Sequence, residues 1–333
     1  MSKGRIFSGM QPSGKFHLGN YLGALENWVK LQNEYECFFS IVDWHALTSA
    51  YEDTSKLSEN IHNMALDWLS AGLDPEKNVI FIQSHVKEHA ELHLLLSMIT
   101  PLSWLERVPT YKDKILQLGS QGKDINTYGF LGYPELMTAD IILYKADTVP
   151  VGEDQIPHLE LSREILRRFN NIYKPVFPEP KAYLGKASVL PGIDGRKMSK
   201  SYGNEIPFAA SPDELRARVR MMVTDPQRIK KSDLGNPDVC TVYAFHKIFT
   251  TKETGEIATN CRNANIGCVD CKKCLAEKMV ESLADIHARR SDLEANPTRV
   301  KEILVYGAER ARKVAAATME EVREVMNLSY GRI

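Results

Sequence analysis

Four short apolar runs punctuate the first half of the chain, each closed by polar or Gly/Pro-rich residues. Arg5-Ile6-Phe7-Ser8-Gly9-Met10, Phe38-Phe39-Ser40-Ile41-Val42-Asp43, Asn78-Val79-Ile80-Phe81-Ile82-Gln83 and Thr148-Val149-Pro150-Val151 read as buried strands. Between them the spacing predicts an amphipathic helix from about Gly19, a second over Ser55 to Ala71, and a mainly helical stretch from about Leu92 to Tyr144. Strands alternating with helices predict an α/β fold with a parallel sheet wrapped by helices, interrupted by a helical insertion over about 92–146. From Ser211 onward the pattern is helical with charged faces and no sustained strand, which places a domain boundary within Ser201 to Pro212. The expected division is 1–204 and 205–333.

Composition adds limits more than direction. A chain of 333 residues with 43% hydrophobic content has enough apolar surface for two cores. No apolar run approaches the roughly 20 residues of a membrane span, and Met1-Ser2-Lys3-Gly4 leads into the first strand without a signal-peptide pattern, so a soluble cytoplasmic protein with no membrane partner is expected. The formal net charge of -1 supplies no global field for nucleic acid. Any RNA contact must use local basic positions such as Arg228, Lys230, Lys231, Arg289, Arg290, Arg299, Lys301, Arg310, Arg312, Lys313 and Arg323.

The candidate chemistry begins after the first strand. Gln11-Pro12-Ser13-Gly14-Lys15-Phe16-His17-Leu18-Gly19-Asn20 brings polar donors to the carboxyl end of that strand, where ligands bind in open α/β sheets. A helix starting near Gly19 offers backbone N–H groups to a phosphate, and glycine there lets an adenine ring approach. The alternative is a Gly/Pro turn that caps the helix. The later run Arg196-Lys197-Met198-Ser199-Lys200-Ser201 decides between them, because two lysines three apart on a polar loop suit a leaving pyrophosphate. The two segments resemble the paired signatures of class I aminoacyl-tRNA synthetases, His-Ile-Gly-His and Lys-Met-Ser-Lys-Ser. The second is matched in full; in the first, Leu18 and Asn20 replace Ile and the final His. That resemblance implies a Rossmann-like catalytic domain, ATP as substrate with Mg²⁺, and attack of an amino-acid carboxylate on the α-phosphate. A carboxylate needs no general base, so catalysis is positioning and charge stabilisation by Lys197, Lys200, His17 and Asn20.

Tyr133, Met137, Asp140, Ile141 and Tyr144 fall at i, i+4, i+7, i+8 and i+11 on one helical face, with one carboxylate in an apolar stripe. A buried carboxylate requires a donor, either within the fold or from a ligand bearing one N–H on a flat apolar body, such as an indole. The segment from Tyr133 to Tyr144, followed by Val149-Pro150-Val151-Gly152-Glu153-Asp154-Gln155, resembles bacterial tryptophanyl-tRNA synthetases, as does Phe7 to Leu25. The resemblance extends over nearly the whole chain; His17 stands where many members have threonine, and Thr138 where alanine is commoner. It implies that Asp140 receives the indole N–H of L-tryptophan, with Tyr133, Met137, Ile141, Val149, Val151 and Phe7 as walls. For ATP it implies Gln11, Pro12, Ser13, Gly19, Asn20, Gly152, Glu153, Asp154, Val189 and Lys197, Met198, Ser199, Lys200 and Ser201, with Lys114 as a further phosphate contact. It also implies a homodimer, tRNA(Trp) as partner and an anticodon-binding role for 205–333. A tyrosine-activating relative is the nearest alternative; a non-catalytic RNA-binding paralogue would have no use for two phosphate-facing lysines.

Five of the six cysteines, Cys240, Cys261, Cys268, Cys271 and Cys274, lie within 35 residues. Cys268-x-x-Cys271 has chelate spacing, and four thiolates bind zinc or an iron–sulfur cluster. Some bacterial tryptophanyl enzymes carry a [4Fe–4S] cluster on C-x22-C-x6-C-x2-C, which resemblance maps to Cys240, Cys261, Cys268 and Cys271. The first gap here is 20 residues, and Cys274 is left over.

Overall fold

Alternation within the strands decides the architecture. The computed structural model describes residues 4–108, 111–112, 115, 125–185 and 190–329. Strands β1 (Arg5–Met10), β2 (Glu36–Ile41), β3 (Val79–Ile82), β4 (Thr148–Pro150) and β5 (Lys181–Tyr183) form one sheet in the order β3-β2-β1-β4-β5, and every pairing is parallel. Ile6, Phe39, Ile41, Ile80 and Ile82 join the hydrophobic cluster on one face, while Phe7, Phe38, Val79, Phe81 and Val149 join that on the other. Successive strand residues point to opposite faces, so a sheet covered on both sides needs apolar residues at every position. Such continuous runs are what made the first four strands legible. β5 is short and half-exposed, with Lys181 at its start, and the pattern did not reveal it.

Helix α1 covers 18–31 in three contiguous pieces, α-helical at Leu18–Asn20, π-helical at Tyr21–Leu25 and α-helical at Glu26–Leu31. It packs on the first face with α3 (Leu57–Ala71); α2 (Asp43–Ala50) lies between them in sequence. The insertion between β3 and β4 supplies α4 (Glu88–Ser97), α5 (Tyr133–Leu143) and shorter turns at Leu102–Glu106 and Tyr128–Leu131. These and α6 (Ile156–Ile172) cover the second face. After the insertion the chain re-enters the sheet beside β1, through Ile6 opposite Thr148.

The C-terminal helices are α7 (Pro212–Met221), α8 (Thr241–Phe249), α9 (Thr254–Arg262), α10 (Cys268–Ala295) and α11 (Pro297–Val325). All of them but α9 contribute to the same two hydrophobic clusters as the sheet. Arg290 of α10 donates to Asp67 of α3 at 2.8 Å in a buried ion pair. α11 lies so close to β3 that a Cβ on Gly307 would sit 1.8 Å from the Ile80 carbonyl oxygen. Arg310 donates to the carbonyls of Pro75 and Asn78 at 2.9 Å each, Arg312 to that of His85, and Arg323 pairs with Glu91. Several basic side chains that the sequence offered for RNA are therefore structural. Lys230, Lys301 and Lys313 remain exposed.

Candidate active site

The carboxyl ends of β1 and β4 and one side of α5 enclose a cavity of about 230 Å³. Its lining includes all seven side chains expected to hold tryptophan, Phe7, Tyr133, Met137, Asp140, Ile141, Val149 and Val151, together with Gln11 and Gly152. About 150 Å³ accommodates a benzene ring, so the space suits a flat bicyclic group. Ala24, Trp28, Val42, His45 and Gln155 also line it.

Asp140 is 2% exposed, and its oxygens are already engaged. His45 Nε2 lies 2.9 Å from Oδ2 and His89 Nδ1 lies 2.6 Å from Oδ1. Gln83 Nε2 donates to both oxygens, at 2.7 and 2.9 Å. The Gln83 amide is oriented by Trp44, whose backbone N–H donates to Gln83 Oε1 at 3.1 Å. Burial alone would raise the carboxyl's pKa, yet the facing His89 and His45 rings hold it well below the ordinary carboxylate range. The sequence set a donor within the fold against a donor from a ligand; the structure shows the internal donors and also leaves Asp140 at the cavity wall. α5 differs from the expected single stripe in another way. It is buried nearly all round, with Glu135 and Thr138 as well as Asp140 out of water.

Farther along the loop that leaves the carboxyl end of β1, His17 and Asn20 cap each other. Asn20 N–H donates to His17 Nδ1 and His17 N–H donates to Asn20 Oδ1, each at 3.2 Å. With Nδ1 accepting, a neutral imidazole carries its hydrogen on Nε2. Burial and the nearby Lys200 lower the His17 pKa to about 4, so the ring is neutral at physiological pH. The capping turn and the donor-bearing loop, posed as alternatives by the sequence, are thus one object. A Cβ on Gly19 would lie 3.1 Å from the His17 ring and 3.4 Å from Met198 Sδ, so glycine permits the two signature segments to meet. Lys200 Nζ donates to the Ser13 carbonyl at 3.1 Å. The backbone completes the junction: Leu18 N–H donates to Ile206 O at 3.0 Å and Phe208 N–H to Phe16 O at 2.9 Å.

Sequence reasoning missed Asn204, which pins the lysine loop from behind. Ser199 N–H donates to its Oδ1 at 2.8 Å, and its Nδ2 donates to Asp194 Oδ1 at 2.7 Å and Lys197 O at 3.2 Å. Lys197 itself is exposed. Gln11, Pro12 and Ser13 also line an adjoining cavity of about 340 Å³ with residues of α2 and α3. Glu153 and Asp154 form a turn just past Gly152, where a Cβ would meet Asp154 Oδ1 at 2.6 Å. Ser201 sits in the turn Lys200–Tyr202. Val189 and Lys114 lie outside the described residues.

Comparison with known proteins identifies the family. The family model for class I tRNA synthetases of tryptophan and tyrosine matches residues 2–284. The tryptophan–tRNA ligase of Thermotoga maritima is 53% identical over 98% of this chain and all of its own length, and that of Aquifex aeolicus 45% identical over 97% and 100%. The chain belongs to the class I tryptophanyl-tRNA synthetases. The solved tryptophanyl-tRNA synthetase of Campylobacter jejuni, complexed with ADP and tryptophan, superposes with a TM-score of 0.89 at 36% identity, covering 97% of this chain and 99% of that one. A tyrosyl-tRNA synthetase from Archaeoglobus fulgidus shares the fold alone, at 21% identity and a TM-score of 0.66.

The synthetase places its clustered cysteines at the junction of α8, α9 and α10. Cys240 precedes α8, Cys261 lies in α9, and Cys268, Cys271 and Cys274 occupy the first turns of α10. Burial and the four neighbouring thiols push Cys271 up to about 12. Its Sγ lies 3.3 Å from His246 Nε2. Thr250 Oγ1 donates to the His246 carbonyl and so accepts from His246 Nδ1, leaving Nε2 as the acceptor for the Cys271 thiol. Arg228 Nη1 lies 3.7 Å from Cys261 Sγ. Among the described residues no three Cys, His, Asp or Glu side chains come together as a metal-holding group. The thiols share a neighbourhood without forming a coordination sphere.

Proposed function

We infer that this synthetase carries out the reaction of its family: it activates L-tryptophan with ATP, releasing pyrophosphate, and transfers the tryptophanyl group to the 3′ end of tRNA(Trp). The observation that carries the reading is the adjacency of two cavities at the carboxyl end of β1. The cavity walled by Asp140 and the adjoining one lined by Ser13, whose carbonyl Lys200 meets, share Gln11.

The roles follow from the chemistry. Asp140 accepts the indole N–H, while Phe7, Tyr133, Met137, Ile141, Val149 and Val151 wall the ring. Gln11, Pro12, Ser13, Gly19, Asn20 and the turn Gly152 to Asp154 border the nucleotide. His17 donates from Nε2 as a neutral ring, and Lys197 and Lys200 stabilise charge gathering on the leaving pyrophosphate. Mg²⁺ brought in with ATP would neutralise part of that charge. A tryptophan-dependent exchange of pyrophosphate into ATP is expected without tRNA, and exchange driven instead by tyrosine would overturn the assignment. Replacing Lys197 and Lys200 together by alanine is expected to lower the exchange rate by roughly 10²–10³ with unchanged thermal melting.

The finer assignments belong to the same proposal: a homodimer in the cytoplasm, a catalytic part over 1–204 and an anticodon-reading part over 205–333. So does the iron–sulfur reading, in which Cys240, Cys261, Cys268 and Cys271 hold a [4Fe–4S] cluster, with zinc as the alternative. Their spacing and their gathering at one helix junction support it, while the absence of a converged donor set among the described residues counts against it. A bound cluster would tie α8, α9 and α10 together structurally. Anaerobically purified protein is expected to be brown with stoichiometric iron and sulfide; colourless protein containing zinc would select the alternative.

A further inference from the structure

Two side chains behind Asp140 lie outside the cavity lining. His89 of α4 and Tyr144, just past α5, are both 0% exposed. His89 Nδ1 faces Asp140 Oδ1 at 2.6 Å, and its Nε2 lies 2.7 Å from the Tyr144 hydroxyl. An ionised carboxylate can only accept, so Nδ1 carries the hydrogen and a neutral ring keeps its lone pair on Nε2. The phenol donates to that lone pair. Burial, with Asp140 and Glu88 adding to it, raises the Tyr144 pKa well above its ordinary value and keeps the phenol protonated.

The Tyr144 ring is held independently of its hydroxyl. It stacks on Phe38 at 4.7 Å and on Phe7 at 5.5 Å, and meets Phe81 edge-on at 5.6 Å. Phe7 is itself a cavity wall. Packing alone would be served equally by phenylalanine, and a hydroxyl in so apolar a place is costly unless it bonds.

We propose that Tyr144 and His89 are positioning residues for tryptophan selection: the Tyr144 hydroxyl fixes the His89 tautomer, and His89 in turn keeps the Asp140 carboxylate a pure acceptor aimed at an indole N–H. The inference rests on the reading of Asp140 as the indole acceptor. In the opposite tautomer a nitrogen lone pair would face a carboxylate oxygen at 2.6 Å, which is repulsive. Without the phenol, Nε2 is a buried polar atom with no partner, and nothing on that side holds the ring in its orientation toward Asp140. A ring free to tilt no longer holds the carboxylate in line with the cavity.

The test uses full-length protein and two ligands, L-tryptophan and its analogue with a benzothiophene ring, in which sulfur replaces the N–H. Dissociation constants are measured for the parent protein, Tyr144→Phe, His89→Asn and the double variant. The parent is expected to prefer tryptophan by about 10- to 100-fold, the span of a hydrogen bond to a charged acceptor. Tyr144→Phe is expected to shrink the preference to within about 3-fold, through weaker tryptophan binding with the analogue unchanged and KM for ATP unaltered. His89→Asn keeps a donor toward Asp140 but uncouples Tyr144, so adding Tyr144→Phe to it should change nothing. An unchanged preference in Tyr144→Phe, an equal loss for both ligands, or a full effect of Tyr144→Phe in the His89→Asn background each overturns the relay. A parent that fails to prefer tryptophan over the analogue instead overturns the Asp140 reading itself, and the relay with it.

Discussion

The Asp140 pocket and the cysteine corner both gather polar side chains away from water, and they settle the cost differently. At Asp140, three side chains meet two carboxylate oxygens at 2.6 to 2.9 Å, and the charge is retained despite burial. At the α8–α10 junction burial and the neighbouring thiols push Cys271 up, and it keeps its hydrogen against His246. The first region is finished by the protein's own atoms. The second remains a set of thiols around a loosely shared space. The lesson concerns preorganisation: an acceptor can select a ligand only where its own partners already fix its charge and direction.

The largest expected effect breaks the first half of that contrast. Asp140→Ala leaves His45, Gln83 and His89 without their shared partner, and breaking a buried charged set of this kind typically costs about 3–5 kcal/mol. Urea unfolding should show that loss. Asp140→Asn keeps the shape and is expected to lower kcat/KM for tryptophan by roughly 10²-fold, as loss of a charged hydrogen bond in a specificity pocket does. Undiminished exchange by Asp140→Asn would remove the carboxylate from the mechanism.

A second carboxyl on α5 sharpens the comparison. Glu135 is 1% exposed, its Oε1 has no hydrogen-bond partner, and His93 Nδ1 lies 3.8 Å from Oε2. Burial, opposed by a hydrogen bond from Thr100, pushes it from 4.5 up to about 7. A raised acid contributes stability that is complete below pH 4.5 and is lost as pH rises through about 7. The melting temperature should therefore decline across that window. Glu135→Gln is expected to flatten the decline, with a gain of up to about 3 kcal/mol at pH 8. An unaltered pH profile in Glu135→Gln would show that the side chain is solvated.

The smallest effect tests the other region. None of the five clustered thiols lines the cavity, so Cys271→Ser is expected to leave tryptophan-dependent exchange within about 2-fold, as distant sites usually do. A tenfold fall would mean that the corner is coupled to the pocket.

The strands and the cavity were legible because their signals are local. Continuous apolar runs disclosed β1 to β4, and the spacing of Tyr133, Met137, Asp140 and Ile141 put one wall of the pocket in view. The partners of Asp140 were not legible. His45, Gln83 and His89 stand 95, 57 and 51 residues away, on separate elements, and nothing in their own surroundings marks them. Asn204 is similar: it lies close in sequence to Lys197 and Ser199, yet its role depends on a fold-back that no periodicity encodes. Gln83 was in view only as the polar end of a strand.

The contact between Gly307 and the Ile80 carbonyl has a consequence for synthesis. β3 is an outer strand of the sheet, and the arginine that caps its start, Arg310, is 232 residues beyond Asn78. During translation the sheet therefore leaves the ribosome with a bare rim, open to pairing with other nascent chains until α11 emerges. A bulky substitution at Gly307 would prolong that exposure, and its cost would appear as aggregation during expression before any loss of catalytic rate.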